Sequence, residues 1–284
     1  MTVPLLRLAT KAIRHPHRAL LRLLLLKRIA RNSVQQDHAC MLQAISACWD
    51  VDAGQLAAEY RRSSVARWYQ RRFRQLRAIG NARMGSSEDF ACELLYVLVR
   101  AARPEIVVET GVLYGASSCH ILAALDANGA GQLHSIDLGT RPGEPSHDSF
   151  VHPNLTWRWN YIEGDVRTEL PRLLDDLGQI DMFYHDSVHT FEHMTWEYHT
   201  ASVRLRHNGV LASHDVHVCD SLLGIFRENA FPAFCHRHGA NCVRVRNSGF
   251  ALWRQADSSN ASVQLAGMAP AWSWMSSTLE ALQY

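Results

Sequence analysis

The stretch EIVVETGVLYGASS, residues 105–118, decides the fold. Its apolar run Ile106-Val107-Val108 ends in an acid and a glycine, and CHILAALDA follows a few residues later. A short apolar run of this kind reads as a buried parallel strand, and the segment from Gly111 to Ser118 reads as a loop feeding a helix. Glycines at 111 and 115 let a ligand approach the backbone, with the N–H groups of the helix N-terminus facing it. Two nucleotide loops are excluded by spacing. No Lys follows Gly115, so the phosphate loop fails, and three residues separate the glycines, so the dinucleotide loop fails as well. An acid-x-Gly-x-x-x-Gly loop remains, with Glu109 as the acid. A carboxylate there disfavours a pyrophosphate and favours a ligand carrying a cationic amine. The alternative is a plain strand–helix turn in which glycine serves packing alone.

The segments around it repeat the alternation of helix and strand. Upstream, SSEDFACELLYVLVRAA (86–102) has helical spacing and stops before Pro104. Downstream, QLHSID ends in Asp137, an acid placed to accept both ribose hydroxyls of an adenosine ligand. TWRWNYIEGDV (156–166) sets Asp165 after a third strand, where it can accept from an exocyclic adenine amine while the N–H of Val166 completes the ring site. IDMFYHDS (180–187) ends near Asp186, and DSVHTFE carries His189 and Glu192 into a helix. NGVLASHDVH (208–217) ends in His214, Asp215 and His217. Parallel strands deliver their C-terminal ends to one rim, so Asp186, His214 and Asp215 are candidate ligands for a divalent cation. Loop-holding and helix capping are the plain alternative for these acids.

Taken together, VVETGVLYGASS, HSID, EGDV, DSVHTFE and NGVLASHDV resemble the class I S-adenosylmethionine-dependent methyltransferases. The branch they look most like includes the macrocin-type and related sugar or natural-product O-methyltransferases. The resemblance covers about residues 86–253. It implies a seven-stranded, mostly parallel α/β sheet of the Rossmann-like kind, with helices on both faces. It also implies a final antiparallel hairpin, over CVRVRNSGFALW (242–253) with its turn at 247–249. Glu109, Gly111, Tyr114, Gly115 and Ser117 would then border the methionine part of the cofactor. Asp137 would take the ribose, Asp165 and Val166 the adenine, and Asp186 would sit beside the transferable methyl. Two departures stand out. The strand-four pattern commonly reads DGDHSYE, and here Val188 replaces the second acid. The strand-five pair, often two acids, is His214-Asp215.

Composition bounds the rest. With 284 residues, 47% of them hydrophobic, the chain can bury a full core, which excludes wholesale disorder. Seven cysteines, an odd number with no CxxC pair, argue against a disulfide framework or a zinc knuckle and favour a reducing, cytoplasmic setting. No apolar run approaches the about 20 residues that span a bilayer. The net charge of +2 conceals an asymmetry, because residues 1–80 carry 15 Lys and Arg against four Asp and Glu. This sets a basic helical extension (1–80) apart from a cofactor-binding domain (81–255) and a C-terminal tail (256–284). Within the extension, HRALLRLLLLKRIAR (17–31) reads as a helix. It is a docking helix on the domain or on a second copy of the chain, or an interfacial helix on anionic lipid at the inner membrane surface. Nucleic-acid contact has no recognition motif behind it. A second basic helix, Arg61 to Arg77, interleaves Trp68, Tyr69 and Phe73, whose rings should pack while the arginines face solvent or an acidic partner.

The activity these readings favour is transfer of a methyl group to a hydroxyl of a sugar, glycolipid or other small natural product. A hydroxyl is a poor nucleophile near neutral pH, so a cation such as Mg2+ or a general base is needed, and Asp186 or His189 is the candidate base. Two rivals stay open at this level. One is a metal-dependent hydroxylase acting on sugars or antibiotics. The other is a non-catalytic cofactor-binding module at a membrane or within an assembly.

Overall fold

The computed structural model describes residues 35–78, 89–216, 230–238, 242–244 and 250–255. The basic helix read at 17–31, the hairpin turn at 247–249 and the tail after residue 255 lie outside the described residues. Three helices come first: α1 through residues 35–49, α2 over Ala53–Arg62 and α3 over Ser64–Ala78. The alternating part follows, with α4 (Asp89–Ala102), β1 (Ile106–Thr110), α5 (Ala116–Asn128), β2 (Gln132–Asp137) and β3 (Trp159–Glu163). After it come α6 (Val166–Leu177), β4 (Ile180–His185), α7 (Phe191–Ser202), β5 (Leu205–Ser213), α8 (Ala230–His238), β6 (Cys242–Arg244) and β7 (Ala251–Arg254).

The seven strands form one sheet in the order β3-β2-β1-β4-β5-β7-β6. Five run parallel, and β7 pairs antiparallel with both β5 and β6, as the expected terminal hairpin requires. The central strands β1 and β4 are apolar and buried, as strands covered by helices on both faces must be. From β1 the chain builds outward to β2 and β3, then returns to lay β4 and β5 on the other side. The reversal point lies between β1 and β4, and the crevice beyond their carboxyl ends is where open α/β sheets bind ligands.

Two apolar cores flank the sheet. One joins α4 and α5 to Val107, Leu133 and Met182; the other joins α6, α7 and α8 to Val108, Phe183 and Leu211. The first core also takes in Met41, Ala44, Ile45, Ala53, Ala57, Tyr60 and Ala66. Residues 35–78, which the charge count sets apart as an extension, are therefore built into the domain. Ion pairs reinforce the seam. Arg61 grips Glu93 with two hydrogen bonds of 2.8 and 2.7 Å, and Arg100 holds Glu59 at 2.9 Å. The aromatics of α3 pack as the alternation with arginine suggests: Tyr69 and Phe73 lie against Phe150, and Tyr69 meets His120 edge-on. Arg67, Arg71 and Arg74 stay exposed.

Two glycines set how closely the loops above the sheet approach. Gly111 has φ +83°, and a Cβ there would lie 2.2 Å from the carbonyl oxygen of Asp186; at Gly115, φ +81°, it would lie 2.5 Å from that of His147. Gly129 has a similar φ of +74° but open space around it. Gly111→Ala should therefore cost about 3 kcal/mol or more of unfolding free energy, since left-handed strain and a backbone clash add. Gly129→Ala should cost only about 1 kcal/mol, from the strain alone. Urea unfolding of the two variants measures the difference, and equal losses would show that the close crossing is not the constraint it looks to be.

Candidate active site

A cavity of about 640 Å3 opens at the reversal point of the sheet, lined from Gly111 through Tyr114, by Ser117, and by side chains at the ends of β2 to β5. On its β2–β3 side stand Asp137, Leu138, Asp165 and Val166; on its β4–β5 side stand Asp186, Ser187, Val188, His189, His193 and Asp215.

The glycine loop is held from three directions. Asp137 accepts from the N–H groups of Val112 (2.6 Å) and Leu113 (3.0 Å) with one oxygen and from Gly139 (2.8 Å) with the other. The carboxylate expected to face a ribose thus also ties the end of β2 to the loop, and keeps part of its acceptor capacity toward the cavity. From above, the N–H of Phe150 donates to the carbonyl of Tyr114 (3.0 Å), while α3 fixes that segment through Trp68 Nε1 to Phe150 O (3.2 Å) and Arg72 Nε to Ser149 O (2.9 Å). From below comes Glu109. It is fully buried and accepts from Ser117 Oγ (2.5 Å), Ser118 Oγ (2.6 Å) and Ser135 Oγ (2.7 Å).

This corrects two expected positions. Glu109 and Gly115 are not on the cavity wall. The serines at the start of α5 take both oxygens of Glu109, so it fastens that helix to β1 and β2, and Gly115 is turned toward His147 and Val151. Gly111, Tyr114, Ser117, Asp137, Asp165 and Val166 do line the cavity. Asp165 doubles as the N-cap of α6, accepting from Arg167 N at 2.8 Å.

At the other side the rim gathers charge. Asp186 follows β4 directly, and its N–H bonds Thr110 O at 2.9 Å. Asp215 follows β5 in a left-handed conformation, φ 50°, uncommon for a residue with a side chain though less so for Asp. His189 Nε2 lies 3.8 Å from Asp186 and 3.5 Å from Asp215. One donor atom from each of these three lies within 4.8 Å of the others, a spacing that suits a shared cation. His214, expected as the imidazole ligand, is off the cavity wall. Its Nδ1 sits between the two carboxylates, 3.3 Å from Asp186 and 3.4 Å from Asp215. Burial alone would favour the neutral ring, but the two carboxylates outweigh it and push the pKa up to about 10. A ring nitrogen that donates its proton has no lone pair to offer, so His214 braces the acids and His189 takes its place in the donor set. For His189 burial prevails over the two acids, and its pKa falls below the ordinary value, which leaves the imidazole neutral.

Residues 108–216 match the family model described as a methyltransferase domain. No curated protein matches the chain. Among solved structures, it is similar to an O-methyltransferase from Bacillus cereus in complex with SAH, at 13% identity and a TM-score of 0.51, over 66% of this chain and 90% of that one. It is also similar to the O-methyltransferase TomG of Streptomyces achromogenes, involved in tomaymycin synthesis and solved with SAM. That match has 16% identity and a TM-score of 0.53, over 66% of this chain and 89% of the other. At these identities the likeness is one of fold.

Glu109 provides a pH test of the loop's anchorage. Burial outweighs the three serine donors and raises its pKa from 4.5 to about 7. For a carboxyl raised by folding, the contribution is favourable below the unfolded value of 4.5 and is lost as pH rises through 7. Wild-type stability should therefore fall over this range relative to Glu109→Gln, by up to ~3 kcal/mol. Chemical unfolding at several pH values measures it, and parallel curves for the two proteins would contradict an ionisable, buried Glu109.

Proposed function

We propose that the chain transfers the methyl group of S-adenosylmethionine to a hydroxyl of a small molecule, a sugar or other natural product, beside a divalent cation held by Asp186, His189 and Asp215. The observation that carries the reading is the cavity at the reversal point, with two backbone-anchored acids on one side and a three-residue donor set on the other.

The cofactor's sulfonium supplies an activated methyl group. In this reading Asp137 accepts the ribose hydroxyls, Asp165 and Val166 take the adenine edge, and Gly111, Tyr114 and Ser117 border the methionine part. Glu109 acts one layer below, by fixing the residues that do. The rim fits a cation for reasons visible in its donors. Two carboxylates and a neutral imidazole converge, and His214 offsets part of the acids' mutual repulsion. One nitrogen with two oxygens suits manganese, iron, cobalt or zinc as well as magnesium. Such an ion lowers the pKa of a bound hydroxyl and orients it. The exposed Val188 at the mouth gives the acceptor an apolar edge to lie against. No described helix is long and apolar enough to cross a membrane. Contact with anionic lipid through residues 1–31, or pairing of two copies of the chain, remains part of this proposal.

Two measurements test it. S-adenosylhomocysteine should raise the melting temperature, and Asp137→Ala should weaken its binding by roughly 10- to 100-fold, the loss of one or two charge-assisted hydrogen bonds. Asp186→Ala and Asp215→Ala should lose manganese binding, followed by titration calorimetry, and methyl transfer, while keeping S-adenosylhomocysteine affinity. Chelation should stop the wild type, and magnesium or manganese should restore it. Unchanged cofactor binding in a folded Asp137→Ala protein would rule out the ribose assignment, and full activity in excess chelator would rule out the metal.

A further inference from the structure

A second constellation lies behind the cavity wall, in the first two turns of α7, and reaches the wall through Ser187 and His193. Glu197 is fully buried, and four donors share its carboxylate. Thr110 Oγ1 (2.6 Å) and His185 Nδ1 (2.7 Å) donate to Oε2; Ser187 Oγ (2.5 Å) and His193 Nε2 (2.7 Å) donate to Oε1. Burial by itself would raise the pKa of this carboxyl, but His185, His193 and Ser187 outweigh it and hold the group well below the usual carboxylate range.

An ionised carboxylate only accepts, so the bond from His193 fixes a proton on Nε2. In the neutral ring Nδ1 then carries the lone pair. That nitrogen makes no hydrogen bond to a described residue and is not one of the enclosed polar atoms, and the ring forms part of the cavity wall. His185 is gripped by the other oxygen of Glu197 but lies off the wall, with its own Nε2 enclosed. Ser187 Oγ is 3.3 Å from His193 Nε2, yet both donate to the same oxygen, so nothing there activates the serine as a nucleophile.

We propose that His193, oriented by Glu197, is the base that takes the proton of the acceptor hydroxyl. The assignment rests on the O-methylation reading of the cavity. Asp186, His189 and Asp215 are taken up as metal ligands, Asp137 and Asp165 stand on the β2–β3 side tied to backbone N–H groups, and Val188 brings no proton acceptor. His193 is the wall residue left to receive the proton. As the acceptor oxygen forms its C–O bond with one of its electron pairs, the S–CH3 bond breaks with its pair passing to sulfur, and the sulfonium becomes a thioether. The hydroxyl proton moves to Nδ1, and the imidazolium formed is stabilised by Glu197, the logic of any histidine backed by a buried carboxylate. Glu197 is a positioning residue, because it acts through the ring.

The test has one arm that needs no turnover. Nitrogen NMR of full-length protein labelled at histidine, with S-adenosylhomocysteine bound, should show His193 protonated on Nε2 and bare on Nδ1. The isosteric Glu197→Gln should lose that preference. In the second arm, methyl transfer to catechol is followed with manganese present. His193→Gln should lower kcat by roughly 10²- to 10⁴-fold, the usual worth of a general base. Its KM for catechol should stay within about twofold of wild type, and added imidazole should restore part of the rate to His193→Gly. A proton found on Nδ1 in the wild type overturns the proposal, and so does a folded His193→Gln with wild-type kcat. Transfer by the wild type together with the wrong tautomer removes the base alone. No transfer to catechol or to a panel of sugar hydroxyls by wild-type protein that binds S-adenosylhomocysteine removes the O-methylation reading, and the base with it.

Discussion

The close approach of the loops that leave β1 and β4 is the constraint on which the site depends. The Asp186 carbonyl lies where a Cβ on residue 111 would be, 2.2 Å away, so only glycine lets the first loop pass over the start of the fourth. That approach sets the glycine loop beside the loop carrying Asp186 and His189. Ladder bonds carry it past the strands: Gly111 N reaches Ile136 O and Asp186 N reaches Thr110 O, each at 2.9 Å. Thr110 also donates its hydroxyl to Glu197. One residue pair at the end of β1 thus sets the spacing between the two sides of the cavity and anchors the helix behind one of them.

Much of this arrangement was legible because strand ends in a parallel sheet are forced to one rim. The runs EIVVET, QLHSID, IDMFYH and NGVLAS each predict a strand, and the last three each end within a residue or two of an acid that reaches the crevice. What sequence could not separate was wall from support. Glu109 and Asp137 are both acids at strand ends, yet one lies beneath the loop and the other beside it. The difference is three serines, two of them on α5, whose hydroxyls converge on Glu109. His214 and His189 present the same problem. Both lie near Asp186, and only the geometry shows one donating to the acids and the other standing with them around a common point. His193 and Glu197 were missed altogether. Their i, i+4 spacing in FEHMTWEYH was the available signal, since it sets an imidazole and a carboxylate on one helix face next to the strand that ends in Asp186.

The basic segment before the sheet shows charge count and packing reading differently. Arg61 to Arg77 looks like a solvated face with a few rings in it, and its outer arginines are that. The rings between them, however, complete the core over α5 and hold the segment at 146–151 down on the glycine loop. In helical spacing, Ala66, Tyr69, Phe73 and Leu76 form a stripe that a net-charge count does not register. The glycine loop is thereby supported by a part of the chain outside residues 108–216, the stretch matched as a methyltransferase domain.

Buried charge under the rim follows one rule throughout. Each enclosed carboxylate has a full set of donors, and its protonation follows from which kind they are. Glu109 has three neutral hydroxyls, which stabilise the anion less than burial disfavours it, so its proton stays within reach of neutral pH. Glu197 has two hydroxyls and two imidazoles, and the balance reverses. Glu109 belongs to β1 itself, and Glu197 meets the end of that strand through the Thr110 hydroxyl. The one that holds a loop can be neutral at little cost to that task, since an uncharged carboxyl still bonds serine. The one that orients a histidine has to be an anion, because only an acceptor-only group fixes which ring nitrogen carries the proton.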